Sequence, residues 1–431
     1  MTDKQIKIDP RVFIQAPFID CPKCKVTEFG VLMIGGNRYT RRCRKCWHTD
    51  YYKLPTLKKV VIYLDQFVIS NMMAALSMPQ NKIAAGSIES YWRGLFEKLD
   101  RLSKLQLIIC PDSTFHHKES VVAKFYDKLK TMYEHLSGGA SFDHPETIKR
   151  FHVVRCADQW ITGKAIDIKA ILGDRMIHGD VNAWQERIRI SLNLQTPSEW
   201  IEDFRRTRDE SHEGISRVFA YWKKEKPDFQ KTLAKELAVF GSGTLDAHAA
   251  HISSVLAMAE GKAPFDPEAF LPSHPSLMVA EVYNRFKEVG VAADEIVRKV
   301  QEFFLSEALQ QLPFVKIQAM LFAAVARKAA AGQKKPPTRG FLIDVAMIST
   351  ILPYSDTMFI DNECAGLMSE EPLKTELNYG SKVFSLSVRD KFDKYLTGIE
   401  RSATPQHIAK VKEVYGEGWE KPYTGIYELK S

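Results

Sequence analysis

Three short apolar runs, each leading to an acidic residue, constrain this chain more than any other feature. Val60-Val61-Ile62-Tyr63-Leu64 runs straight into Asp65. Leu105 to Cys110 is followed, after a Pro-Asp-Ser-Thr turn, by Glu119, and Thr357 to Ile360 ends on Asp361. Runs this short, bounded by turn residues and followed by helical periodicity, predict buried parallel strands. In an open α/β sheet the ligand site lies beyond the carboxyl ends of the strands, so the three carboxylates should gather on one edge. Converging carboxylates repel unless a cation sits between them. The pattern therefore implies a metal and a phosphate-type substrate.

A fourth acid joins by helix direction. Phe341 to Leu352 reads as a helix, and in a βαβ unit its N-terminus lies at the carboxyl edge of the strands, which brings Asp344 to the cluster. Asp356 precedes its strand and belongs at the opposite edge. A further strand is expected over Lys382 to Ser387.

Four of the seven cysteines form two Cys-x2-Cys knuckles, Cys21/Cys24 and Cys43/Cys46, separated by 18 residues. That spacing predicts a tetrahedral zinc ribbon, with a hairpin around Gly35-Gly36. Four thiolates leave no open coordination position, so the zinc is structural. Basic and aromatic residues surround the second knuckle. Arg41, Arg42, Arg44, Lys45 and Trp47 are candidates for holding phosphates and stacking bases of a nucleic acid, although basic ribbons also dock proteins.

The organisation that follows is a zinc ribbon over 1–55, a sheet core begun over 56–140, a helical insertion over 141–337 and the rest of the core with a C-terminal tail over 338–431. The insertion reads as a lid or flank of the sheet edge, or as a cover for one sheet face. Phe219, Tyr221, Trp200 and Trp222 are candidates for lining a nucleic-acid channel. With 431 residues, 60 basic against 53 acidic (+7) and 45% hydrophobic content, the chain has room for several cores and a mild preference for polyanions. Its apolar runs fall short of the roughly 20 residues of a membrane span. The polar start of the chain has no signal segment, so a cytoplasmic protein with no membrane partner is expected.

The four acids in their settings resemble the PIN-like nuclease superfamily. The resemblance rests on Tyr63-Leu64-Asp65 closing the first strand, His116-His117-Lys118-Glu119 in the helix after the second, Ile343-Asp344-Val345-Ala346 opening a helix, and Phe359-Ile360-Asp361 closing the next strand. It covers residues 58–135 and 338–390. Phe67 stands where the family often has Asn, and Phe359 where it usually has a small hydroxyl residue. The resemblance implies an α/β fold with a small parallel, Rossmann-like sheet. It also implies phosphodiester hydrolysis assisted by Mg2+ or Mn2+ held by Asp65, Glu119, Asp344 and Asp361, leaving 5′-phosphate and 3′-hydroxyl ends. RNA is slightly favoured over DNA, and a large insertion on a small nuclease core suits a conditional role such as a toxin or anti-phage defence. The alternative is a catalytically silent PIN-like scaffold that binds nucleic acid or a protein partner through its basic ribbon.

Other motifs are assigned no chemistry. His116 and His117 read as surface residues at a helix start, and His248 and His251 as a pair without a third ligand. The Arg206–His212 spacing reads as coincidence, Gly241-Ser-Gly243 as too short for a phosphate loop, and Cys110, Cys156 and Cys364 as inert core thiols.

Overall fold

The protein is described by a computed structural model over residues 9–121, 125–173, 176–187, 198–425 and 427. Residues 1–8, read above as a polar start, lie outside the described residues, as does the side chain of Trp200.

Four strands open the chain: β1 (Gln15–Ile19), β2 (Phe29–Gly35), β3 (Arg38–Cys43) and β4 (Thr49–Lys53). They form one antiparallel sheet in the order β1-β2-β3-β4. A two-residue turn joins β2 to β3, with Gly36 at φ +58°, a conformation glycine adopts without strain.

The central sheet comprises β5 (Val60–Leu64) and β6 (Ile108–Ile109), then, after a small antiparallel pair β7 (Ser141–Phe142) and β8 (Ile177–His178), β9 (Thr357–Phe359) and β10 (Lys382–Phe384). Its order is β10-β9-β5-β6, and every pairing is parallel. From β5 the chain moves outward to β6, and on its return it adds β9 to the other side of β5. The topological switch point therefore lies between β5 and β9, the position at which open α/β sheets bind ligands.

Two expected strands are shorter than their apolar runs. Leu105 caps the preceding helix and Gln106 takes φ +62°, so only Ile108 and Ile109 pair with β5. Past Phe384 the backbone winds into a 3-10 turn over Leu386–Val388.

Alternation along β5 and β9 divides the core into two layers. Val61, Tyr63 and Met358 face one cluster, shared with the helices Pro313–Ala330 and Phe341–Ile351 and with Ile215, Phe219 and Trp222. Ile62, Leu64 and Phe359 face the other, built with the helices Gln66–Leu76, Ile88–Lys104 and Tyr126–Ser137. Part of the segment 141–337 thus buries one face of the sheet, while a further core around Phe286, Phe303 and Phe304 is built within that segment. Phe219 and Trp222 are core residues, which removes them from any channel wall; Tyr221 is exposed. Among the described residues, no helix is long and apolar enough to cross a membrane.

Candidate functional site: an acidic edge at the switch point

Asp65 follows β5 directly, and its amide donates to the Phe359 carbonyl at 3.0 Å, extending the β5–β9 ladder by one bond. Asp361 lies two residues beyond that carbonyl. The two strands flanking the switch point therefore deliver one carboxylate each to the same edge. Glu119 comes from the helix Thr114–Ser120 after β6, and Asp344 from the first turn of Phe341–Ile351. Asp356 binds the amide of Val61, near the start of β5, which is the opposite edge.

The carboxylates crowd one another under partial burial. Burial, then the charges of Glu119 and Asp361, push Asp65 up to about 8, with the Gln66 and Phe67 amides opposing the rise. Burial and the charges of Asp65, Asp361 and Glu119 push Asp344 up to about 9. Burial raises Glu119 to about 7, against a lowering by Arg208. Mutual repulsion of this kind is relieved by a proton or by a cation.

The hydrogen bonds of the two strand-end carboxylates differ. Asp65 is only 6% exposed and precedes a helix; the amides of Gln66 and Phe67 at the start of that helix lie close enough to favour its charged form, without a hydrogen bond of full capping geometry. Asp361 does cap the next one: Oδ1 accepts from the amides of Glu363 and Cys364 at 2.6 and 3.1 Å. Its Oδ2 is buried with no hydrogen-bond partner among the described residues. Ligand atoms of Asp344, Asp361 and Cys364 lie within 4.8 Å of one another, close enough to share an ion. Asp65 and Glu119 stand outside that group, and its third member is a thiol; the carboxylate oxygens are the kind of hard ligand that Mg2+ or Mn2+ takes, whereas the Cys364 sulfur is not.

Neighbours absent from the four-acid pattern complete the site. Glu363 is a fifth acid, raised by burial and, among other influences, by the charge of Asp361. Its place in the first turn after Asp361 was visible in sequence. Cys364, read above as an inert core thiol, is indeed buried but borders the carboxylates. His116 is buried, contrary to the surface reading; its ring stacks between those of Tyr63 and Tyr133 at 4.8 and 4.6 Å. Burial holds it neutral by lowering it to about 4.

In the ribbon, Cys21, Cys24, Cys43 and Cys46 converge on one point. Sγ separations of 3.6 Å (Cys21–Cys46) and 3.7 Å (Cys24–Cys43) match the edge of about 3.8 Å that Zn–S bonds of ~2.3 Å give a tetrahedron. The thiols fit zinc. The basic set around them divides. Arg41 is 2% exposed and donates to the carbonyls of Pro17, Phe29 and Glu413, so it is an internal strut and leaves the list of phosphate-binding candidates. Arg44 donates to Ile14 and lies over the Phe18 ring, and Arg42 donates to Thr49. Lys45 and Trp47 are exposed.

The remaining motifs are absorbed by packing. His248 contacts Ser276, and no described group of potential ligands includes it. Gly241 sits inside the helix Phe229–Ala259. No protein-family model matches this chain, and neither do the curated proteins or the solved structures compared with it.

Proposed function

We propose that the protein is a divalent-metal-dependent nuclease with a PIN-like core, hydrolysing phosphodiester bonds of nucleic acid, RNA ahead of DNA. The observation that carries this reading is the convergence of Asp65 and Asp361 at the switch point, one carboxylate at 6% exposure beside the charge of the other, and the other with a buried, unpaired oxygen. Asp65 and Asp361 would be the central metal ligands, with Glu119 and Asp344 completing the cage or orienting a water. A bound Mg2+ or Mn2+ supplies a lowered water pKa and charge for the non-bridging oxygens. The raised pKa values of Asp65, Glu119 and Asp344 leave protons for an incoming cation to displace. The exposed Lys45 and Trp47 of the ribbon are suited to holding a strand outside the site.

The test compares wild type with Asp65→Asn and Asp361→Asn for Mn2+-dependent cleavage of single-stranded RNA, single-stranded DNA and duplex DNA. Each variant should lose at least ~100-fold in rate, because removing a central ligand removes the ion that carries the chemistry. Asn preserves the Asp361 cap, so folding should survive. A wild type that binds no Mn2+ and cuts nothing would leave the scaffold reading in its place.

A further inference from the structure

The helix Ser198–Glu225 from the insertion reaches the acidic edge. Its Ile215, Phe219 and Trp222 are buried in the same cluster as Phe115, one helical turn before Glu119, and as Phe341 and Val345, which lie either side of Asp344 in the chain. Residues 208 and 212 continue that buried face toward the N-terminus at helical spacing. Asp209 of this helix lies against Arg339, the residue before Gly340 at the cap of the Asp344 helix. Arg208 carries a buried Nε with no hydrogen-bond partner among the described residues, and so does His212 at Nδ1. The Arg208 charge acts on Glu119.

We propose that Arg208 is the substrate-phosphate ligand of the acidic site, so that the insertion completes the site instead of only covering a sheet face. The inference rests on the nuclease reading for its substrate class. Four carboxylates repel a phosphodiester, and a metal neutralises only part of that charge. A guanidinium near enough for its charge to reach Glu119, yet making no ion pair with it, offers the planar, paired donors that suit phosphate oxygens. An arginine whose task was only to neutralise Glu119 would have its donors committed to that carboxylate. Here Nε is free of such a bond.

The experiment uses the full-length protein, a fluorescein-labelled single-stranded RNA, and Arg208→Gln and Arg208→Lys variants. Binding is read by anisotropy in Ca2+, which holds the strand uncut, across a salt series; cleavage is read in Mn2+, and Mn2+ binding by calorimetry. Arg208→Gln should weaken RNA binding about 10-fold and flatten the slope of log K against log salt by about 0.7, the value for one phosphate contact on a single strand. Mn2+ affinity should stay the same or tighten, since a positive charge beside the carboxylates is gone. Arg208→Lys should keep the salt slope while losing part of the affinity. Unchanged RNA binding and slope in a folded Arg208→Gln protein would overturn the proposal, as would faster cleavage, which would mark Arg208 as a plug. If wild type binds RNA with the Arg208-dependent slope but never cuts, the nuclease reading fails and the Arg208 assignment stands. If wild type neither binds nor cuts, both fail.

Discussion

His116 donates its Nε2 proton to the carbonyl of Leu64 at 2.6 Å. A carbonyl can only accept, so the bond fixes the tautomer. It ties the helix that carries Glu119, three residues on, to the end of the strand that delivers Asp65. Two carboxylates from separate elements are thereby registered by one buried side chain, and the flanking Tyr63 and Tyr133 rings fix its plane.

Replacing His116 by Phe keeps the ring stack and removes the donor. The stranded Leu64 carbonyl should cost about 1–3 kcal/mol of stability, measured by urea unfolding. Cleavage at saturating Mn2+ should also fall. Full activity in a destabilised variant would mean that the bond serves folding alone.

The raised carboxyl values make the metal-free protein sensitive to alkali. Asp65 (about 8), Asp344 (about 9) and Glu119 (about 7) all lie above their unfolded values near 4. Between those limits the folded state holds more protons than the unfolded one, so stability falls as pH rises. With Mg2+ and Mn2+ removed but zinc retained, Tm should be lower at pH 8.5 than at pH 6. Asp344→Asn should flatten that difference, and added Mn2+ should abolish it. A Tm that rises with pH in the metal-free protein would contradict the assigned repulsion.

The ribbon should carry one zinc per chain. Cys43 is buried and also accepts from the amides of Lys45 and Cys46, so Cys43→Ser removes a ligand and the anchor of its knuckle. Structural zinc sites contribute about 10–16 kcal/mol of apparent binding free energy, enough to unfold a small ribbon when lost. Elemental analysis should show loss of the metal. Limited proteolysis should then cut within residues 15–53 and loosen the helix Pro405–Tyr415, to which Arg41 and Tyr39 are bonded through Glu413.

Gly241 lies where the long insertion helix crosses the end of Ile296–Phe304. A Cβ there would stand 1.7 Å from the Phe304 carbonyl oxygen, a backbone atom that cannot swing aside. Gly241→Ala should therefore destabilise by at least ~1–3 kcal/mol in thermal or urea unfolding, despite alanine's better helix propensity. A stabilised variant would show that the two helices do not approach this closely.

The two knuckles, the four acids with their order, and the exclusion of Asp356 were legible in the sequence because each depends on spacing within one short segment. Ligand distance in a Cys-x2-Cys turn and side-chain direction at a strand end are set locally. The length of β6 was not, since Gln106 adopts a positive φ that its side chain does not announce. Nor was the fate of Phe219 and Trp222, because an aromatic stripe looks the same whether it faces a core or a channel.

By itself, then, the sequence determined which carboxylates stand at strand and helix ends. The tertiary structure decided what surrounds them. It placed β9 beside β5, which makes Asp65 and Asp361 neighbours across the switch point although the whole insertion separates them in the chain. It turned Arg41 inward and brought Arg208 near enough for its charge to lower the Glu119 carboxyl. A long basic side chain can cover apolar surface, pair internally or meet solvent, and only the packing of elements distant in sequence selects among these.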